Sequence, residues 1–400
     1  MTPRTPRRVS RALLAGGAAT ALALLPATAA RADGIRAQQW GLEALHTEQI
    51  WPTTKGRGVT VAVLDTGVDD SHPDLEGNVL AGKDLVGFGA SRGQDHWAEH
   101  GSAMAGIIAA HGHGPDSADG VMGVAPEARI LPVRVILEDE DPQRPKAGRT
   151  RGDALAEGIR WAADHGADVI NLSLGDDSAS ARPQAAQDAA VQYALKKNVV
   201  VVASAGNGGE KGDHVSYPAA YPGVVAVTAV DRYGERAPFS TRRWYATVSA
   251  PGDDVVTLNP DRRYYEGWGT SAAAAFASGA VALLRSAHPG LPPDQVKDLL
   301  EDTAADPPGT GRDDARGFGT IDPAAALKAA ARVRPESTHL AAYGEKYFGG
   351  GPTPPAAPPR RRPDWAAPAA GAAGGLLLLA AAALWRGLPG RPRAGRPAVR

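Results

Sequence analysis

The chain alternates short, continuous apolar runs with longer stretches in which apolar and small residues recur at helical spacing. The apolar runs are rich in β-branched residues, which favours buried parallel strands. These predicted strands are Val59–Leu64, Ile130–Ile136, Asp168–Leu172, Val199–Ala203 and Val224–Ala229. The predicted helices are Ala103–Ala110, Gly152–His165, Ala185–Lys197, Ser271–Ala287 and a later surface helix, Pro292–Ala304. Strands that alternate with helices predict an α/β fold with a doubly wound, mostly parallel sheet and helices on both faces.

The N-terminus has the layout of a secretory signal peptide. Four arginines precede the apolar run 12–25, and small residues follow it up to Ala32. A basic region, an apolar region and a small-residue region in this order predict export and cleavage, so that residues 1–32 are the signal peptide. An uncleaved N-terminal anchor is the alternative, but the run is short for a membrane span.

The C-terminus predicts a transmembrane helix. Residues 366–385 carry no charge, and about 20 helical residues span about 30 Å of hydrocarbon. Five arginines follow within 386–400, which favours a basic cytoplasmic tail and an extracytoplasmic position for the chain before the span. The segment 336–365, rich in proline, is predicted to be a semi-rigid linker. A disordered alanine-rich tail is the alternative.

Between these ends the sequence predicts one large α/β domain, residues 59–335, preceded by a short extension, residues 33–58. The extension carries enough apolar surface to pack against something: Trp40, Leu42, Leu45, Ile50 and Trp51. The segment Glu138–Arg151 is acidic, then basic, and contains prolines. We therefore expect an exposed loop there.

Composition limits the possible chemistry. The net charge of −1 gives no general attraction to nucleic acid, so no nucleic-acid partner is expected. The chain has no cysteine, which excludes disulfides and thiolate chemistry. His111 and His113 are weak evidence for a metal, because no carboxylate stands beside them at motif spacing. No metal ligands are predicted.

Three residues in the chain order Asp, His, Ser form the strongest chemical pattern. Asp65 follows a buried strand, His100 begins a segment of glycines and small apolar residues, and Ser271 begins a helix of small residues. A serine hydroxyl is a weak nucleophile until an imidazole takes its proton and a carboxylate holds that imidazole in the right tautomer. The ends of parallel strands and the N-termini of helices are where an α/β fold presents such groups. Together the three residues predict a catalytic triad.

Each of these residues alone also has an ordinary structural interpretation. Asp65 could be a turn or cap residue, His100 a surface residue and Ser271 a helix N-cap. It is their combination that favours catalysis. The polar residues that follow Asp65 are interpreted as loop residues: Asp69, Asp70 and His72.

Two more segments predict an oxyanion site and a substrate site. Asn207 follows a buried strand, and its side-chain amide can donate to an oxyanion together with the backbone N–H of Ser271. The segment Ser173-Leu174-Gly175 ends the preceding strand, and its backbone can pair with an extended peptide. The predicted substrate-binding residues are Ser173, Leu174, Gly175, Ala205 and Gly206.

Five motifs in this order resemble those of the subtilisin-like serine proteases, over roughly residues 40–333. They are Leu64-Asp65-Thr66-Gly67, His100-Gly101-Ser102 with Ala105-Gly106, Ser173-Leu174-Gly175, Ala205-Gly206-Asn207 and Gly269-Thr270-Ser271. The Asp, His, Ser order is also that of subtilisin. The resemblance implies peptide-bond hydrolysis, with Asp65, His100 and Ser271 as the triad and Asn207 as the oxyanion donor.

More narrowly, the chain is similar to the mycosins, membrane-anchored members of this family linked to type VII secretion. The similarity lies in Arg36, Gln39, Trp40 and Leu45, in the short extension, and in the proline-rich linker before the C-terminal span. Two positions depart from the family pattern. Ser102 stands where threonine is usual, and Ala275 stands where proline is usual, four residues after the predicted nucleophile. A straighter helix is expected from Ala275, because proline would shape its early turns.

We therefore expect a membrane-anchored, extracytoplasmic serine endopeptidase that processes secreted proteins of a type VII system. Polypeptide substrates and that system's membrane complex are the expected partners. No cofactor is required, and calcium is possible because its ligands leave no local signature. One alternative is a subtilase-fold scaffold with weak or no catalysis. Another is an α/β-hydrolase esterase that uses Ser173, although Asn171 replaces the first glycine of its motif.

Overall fold

The computed structural model describes residues 34–341. Its strands are β1 Thr60–Asp65, β2 Lys83–Asp84, β3 His111–His113, β4 Asp119–Met122, β5 Arg129–Arg134, β6 Val169–Leu172, β7 Val200–Ser204, β8 Val225–Val230, β9 Ala246–Pro251, β10 Val255–Leu258 and β11 Tyr264–Gly267. Its helices are α1 Trp40–Ala44, α2 Thr47–Ile50, α3 Glu99–Ala109, α4 Arg144–Thr150, α5 Ala154–Asp164, α6 Ala185–Lys196, α7 Thr270–Ala287, α8 Pro293–Asp302 and α9 Pro323–Ala330.

A seven-stranded sheet forms the centre, in the order β2-β5-β1-β6-β7-β8-β9. Every pairing in it is parallel. The hairpins β3–β4 and β10–β11 are antiparallel and stand apart from this sheet. The carboxyl ends of β1, β6 and β7 therefore meet at one edge, the edge where parallel α/β sheets bind ligands.

Alternate residues of each central strand enter two separate cores. In β1, Val61 and Val63 belong to the core that includes residues of α3 and α7, whereas Ala62 and Leu64 belong to the core that includes residues of α5 and α6. Successive side chains of a strand point to opposite faces, so a strand buried on both faces must be apolar throughout. The predicted parallel sheet with helices on both faces is confirmed.

The five predicted strands and five predicted helices are all present, with ends shifted by a few residues. The strand β9 was not predicted, because Thr247 and Ser249 interrupt its apolar character. Both hydroxyl groups are buried and find partners: Thr247 Oγ1 accepts from the Ala226 N–H at 3.1 Å, and Ser249 Oγ bonds Thr320 Oγ1 at 3.3 Å. A buried hydroxyl with a partner costs little.

The described part of the extension packs on the domain, as its apolar residues predict. Leu42, Leu45 and Ile50 are buried in the core on the α3 and α7 side of the sheet. The Trp40 indole donates to the Asp254 carbonyl at 2.9 Å, and the Trp51 indole donates to the Val124 carbonyl at 3.0 Å. Both apolar contact and directed hydrogen bonds therefore fix this segment.

The segment Glu138–Arg151 is largely exposed, as predicted, but it is not a simple loop. This segment contains α4, and Glu138 and Asp141 are both buried. Asp141 turns inward because its carboxylate accepts the N–H groups of Ala90 and Gln143, each at 2.8 Å. Such backbone donors are fixed by tertiary structure and leave no trace in local composition.

The residues after Asp65 do form a loop, as predicted, with Asp70 exposed. Asp69 Oδ1 accepts the Ser71 N–H at 3.1 Å, which is a turn contact, yet Asp69 and His72 are both buried.

His111 and His113 lie in β3, and no group of three or more potential ligands within residues 34–341 fits a metal ion. Within the same residues, no helix has the length and apolar character of a membrane span. The predicted span 366–385 lies outside them.

Candidate active site

Asp65 lies at the carboxyl end of β1, fully buried. Its Oδ1 accepts the Thr66 N–H at 2.8 Å and bonds His100 Nδ1, also at 2.8 Å. An ionised carboxylate only accepts hydrogen bonds, so Nδ1 of His100 carries the hydrogen. The opposite ring nitrogen, Nε2, is thereby left as the basic atom.

The His100 imidazole stays about a third exposed while its carboxylate partner is sealed from water. Burial by itself acts to lower the pKa of His100, but the charge of Asp65 and its hydrogen bond outweigh burial and raise the pKa to about 9. The pair therefore stabilises the protonated imidazole. This is the form that a general base passes through during proton transfer.

A glycine allows α3 to approach the loop that follows β1. A Cβ placed on Gly101 would lie 1.9 Å from the carbonyl oxygen of Gly67, an impossible contact. The Ser102 hydroxyl then accepts the Asp69 N–H at 2.8 Å. Serine and threonine both carry this hydroxyl, so Ser102 makes a contact that the usual threonine could also make. Close packing of α3 on this loop is what brings His100 to Asp65.

Ser271 occupies the first turn of α7, after Gly269 at φ +142°. Glycine adopts such a positive φ at little cost, which permits the sharp entry into the helix. The Ser271 hydroxyl donates to the Ser173 carbonyl at 3.0 Å, and the Ser173 hydroxyl donates to the Ser271 carbonyl at 2.8 Å. These reciprocal bonds fasten α7 to the end of β6. To pass its proton to His100, the Ser271 hydroxyl must turn away from Ser173.

A buried polar chain continues from this contact into the core. Asn171 Nδ2 donates to the Ser173 hydroxyl at 2.9 Å, and the Ser278 hydroxyl donates to Asn171 Oδ1 at 2.9 Å. Asn171 and Ser278 have no solvent exposure. The Ser173 hydroxyl is therefore engaged in supporting α7, which removes the observation that favoured an esterase with Ser173 as its nucleophile.

Asn207 follows β7 with a fixed amide orientation. Its Oδ1 accepts the Thr270 N–H at 3.0 Å and the Thr270 hydroxyl at 2.9 Å. The two acceptor bonds identify the oxygen, so the Nδ2 group takes the other side, near Gly269. An amide held in this way is a preorganised donor beside Ser271.

An open cleft of about 1120 Å³ brings these groups together. Its lining includes two of the three triad candidates, His100 and Ser271, and the candidate oxyanion donor Asn207. It also includes four predicted substrate-binding residues: Ser173, Leu174, Gly175 and Gly206. Ala205 is not brought to the cleft. It is fully buried, its N–H donates to Val227, and its carbonyl accepts the Tyr245 hydroxyl at 2.9 Å.

Among the cleft-lining residues that the sequence did not point to are Glu138, Asp177 and Trp268. Asp177 accepts the Asn207 N–H at 2.8 Å. Trp268 is 64% exposed and packs beside Phe239, with ring centroids 4.8 Å apart. In the sequence, only Trp268 could have been linked to the cleft, because it lies three residues before Ser271. Glu138 and Asp177 lie in segments that resemble ordinary polar loops.

The chain is similar to known proteins over most of its described residues. The profile of the Subtilase family matches residues 56–319. Fervidolysin from Fervidobacterium pennivorans is 39% identical over 317 residues, which are 72% of this chain and 43% of that protein. Its crystal structure matches with a TM-score of 0.63 at 36% identity, over 74% of this chain and 47% of its own.

Two shorter proteins are matched over most of their length. Thermitase from Thermoactinomyces vulgaris is 36% identical over 274 residues, 68% of this chain and 91% of thermitase. The crystal structure of MycP1 from the ESX-1 type VII secretion system matches with a TM-score of 0.62 at 30% identity, over 72% of this chain and 85% of its own. The chain thus spans less than half of fervidolysin but nearly all of thermitase. On these matches, the chain belongs to the subtilase family of serine endopeptidases.

Proposed function

We propose that this subtilase cleaves peptide bonds with Asp65, His100 and Ser271 as its triad. The observation that carries the proposal is the 2.8 Å bond between buried Asp65 and His100, whose ring faces a cleft that Ser271 also lines. A buried carboxylate, an imidazole and a helix-borne serine at one cleft match what nucleophilic acyl transfer requires.

The chemistry follows from these positions. An extended substrate lies along residues 173–175, and the Ser271 hydroxyl turns toward its carbonyl carbon. Nε2 of His100 takes the hydroxyl proton as the Oγ–C bond forms. The resulting oxyanion accepts from Asn207 Nδ2 and from the Ser271 N–H. The C–N bond then breaks as His100 returns the proton to the leaving amine, and water hydrolyses the acyl-enzyme by the same route.

A fluorophosphonate probe tests this function directly, because it labels only an activated serine. We expect the purified protein to be labelled and to hydrolyse peptides, and Ser271→Ala to lose both properties with its fold intact. In subtilisin itself, loss of the serine costs about 10⁶ in kcat. A wild-type protein that folds but is neither labelled nor active would favour the scaffold function instead.

We further propose that the enzyme works outside the cytoplasmic membrane, in a type VII secretion system. Support comes from the signal-peptide pattern of residues 1–32 and the uncharged segment 366–385. The likeness to MycP1, a protein of the ESX-1 type VII system, adds to it. The substrates would be secreted polypeptides, and the partner would be that system's membrane complex.

A further inference from the structure

Glu138 is a buried acid that the proposed reaction does not use. It follows β5, is only 7% exposed, and lies at the wall of the active-site cleft. Burying a carboxylate is costly unless donors hold it, so the contacts of Glu138 need an explanation.

Its partners come from both sides of the Asp65–His100 pair. Glu138 Oε1 accepts the backbone N–H of His100 at 2.9 Å. The Thr66 hydroxyl also donates to Glu138, while Thr66 Oγ1 accepts the Gly101 N–H at 3.1 Å. Thr66 directly follows Asp65, and Gly101 directly follows His100. Glu138 and Thr66 therefore link the end of β1 to the first turn of α3, around the bond that joins Asp65 to His100.

The charges around the His100 imidazole also indicate that Glu138 acts on it. Three acids raise the pKa of His100 against the effect of its burial: Asp65, Glu138 and Asp139. Burial raises the pKa of Glu138 itself, the negative charge of Asp65 adds to that rise, and the bonds from Thr66 and the His100 N–H oppose it. The pKa of Glu138 is raised overall, and the two donors aimed at its carboxyl group limit that rise.

We propose that Glu138 is a positioning residue that fixes His100 against Asp65 and supplies a second negative charge to the imidazole. The inference rests on the proposed protease function for its kinetic consequence, but the linkage itself is a property of the fold. Glu138 acts through the backbone of His100 and through Thr66, and it has no role in bond making.

Two substitutions separate geometry from charge. Glu138→Gln keeps an oxygen that can accept the His100 N–H, whereas Glu138→Ala removes the link. We expect Glu138→Ala to lower kcat by about 10- to 100-fold with KM little changed, since displacements near 1 Å can cost about a hundredfold. Glu138→Gln should recover most of this loss while its pH–rate profile moves to lower pH.

The pKa of His100, measured by NMR in the inactive Ser271→Ala protein, gives a readout that needs no activity. We expect Glu138→Gln to lower that pKa by about 1 unit. Asp139→Asn is the matched control, because it removes the same charge from the next residue, whose side chain is 80% exposed and paired with Arg144. Its effect should be much smaller, and circular dichroism would confirm that all variants fold.

Equal shifts of the His100 pKa in Glu138→Gln and Asp139→Asn, or full kcat in Glu138→Ala, would overturn the proposal. If the wild-type protein is inactive, the proposed function fails. The NMR comparison still decides whether Glu138 is coupled to His100. The two failures are therefore distinguishable.

Discussion

At the scale of single residues, the site depends on unequal exposure within one hydrogen-bonded pair. Asp65 is sealed from water, whereas its partner His100 reaches the cleft. The charge of a buried carboxylate is poorly screened, so its effect on the imidazole is large. The side chain of Asn207 is also fixed in advance, because Thr270 holds its amide oxygen with two hydrogen bonds before any substrate binds.

The raised pKa of His100 sets the pH dependence of activity. Only neutral His100 can accept the Ser271 proton, so kcat/KM should increase with pH between 6.5 and about 9. The bound proton also stabilises the fold below pH 6.5, and this contribution is lost as pH rises toward 9. A pH–rate profile of Asp65→Asn should show the rise at lower pH with much reduced kcat. A rise at the wild-type position would contradict the assigned pair.

The proposed oxyanion role of Asn207 predicts a loss in kcat alone. Asn207→Ala should reduce kcat by about 10²–10³, the size that removal of one such donor has in subtilisin. KM should change little, because the donor acts on charge that develops only in the transition state. Steady-state kinetics on a peptide substrate would measure both constants. An effect confined to KM would mean that Asn207 only positions the substrate.

At the scale of elements, the candidate active site lies where the first turn of α7 is hydrogen-bonded to the end of β6. The reciprocal bonds between Ser271 and Ser173 and the chain through Asn171 to Ser278 attach the first three turns of α7 to β6. A fully hydrogen-bonded buried network of this kind fixes orientation, because each member has one arrangement that satisfies all partners. The position of Ser271, the proposed nucleophile, thus depends on how α7 begins.

Ala275, fully buried in the second turn of α7, allows this dependence to be tested. Proline there would remove the helix bond to the Ser271 carbonyl, but that carbonyl already accepts from the Ser173 hydroxyl. We therefore expect Ala275→Pro to leave activity unchanged or higher, with the helix geometry usual in the family restored. Kinetics and thermal unfolding would measure the outcome. A loss of about 3 kcal/mol in unfolding free energy would show that this backbone has adapted to alanine.

At the scale of the whole molecule, the described extension packs on a domain whose candidate active-site cleft is open. Residues 40–51 pack on the core on the α3 and α7 side of the sheet, where their indoles bond backbone carbonyls. Among the cleft-lining residues are two segments that lie far apart in the chain, near Glu138 and near Trp268. Extended polypeptides suit such an open groove better than compact ligands.

The topology proposed for the full chain has a direct test in spheroplasts. We expect protease added outside to digest the catalytic domain or release it at the linker, because residues 1–32 predict export and residues 366–385 predict a stop in transfer. A variant truncated before residue 366 should appear in the medium, and it serves as the control for anchoring. Full protection from protease, or full-length soluble protein outside the cell, would contradict the topology.

Local sequence patterns predicted the main strands and helices because buried parallel strands need continuous apolar residues and helices need small-residue or amphipathic spacing. They could not predict β9, whose hydroxyls find partners only on other elements, nor the inward turn of Glu138 and Asp141. The triad candidates were predictable from their order and contexts. The supporting residues Asn171, Ser278 and Glu138 were not, because each meets its partner across a long sequence separation.

The sequence by itself therefore determined the α/β class, the order of the chemical groups and the family resemblance, since these depend on residue types at fixed positions. Tertiary structure alone decided which groups meet. Parallel pairing of β1, β6 and β7 gathers their carboxyl ends at one edge, and α3 packs there through Gly101. The distances, the burial of Asp65 and the raised pKa of His100 all follow from that packing, because electrostatic coupling depends on separation and on exclusion of water.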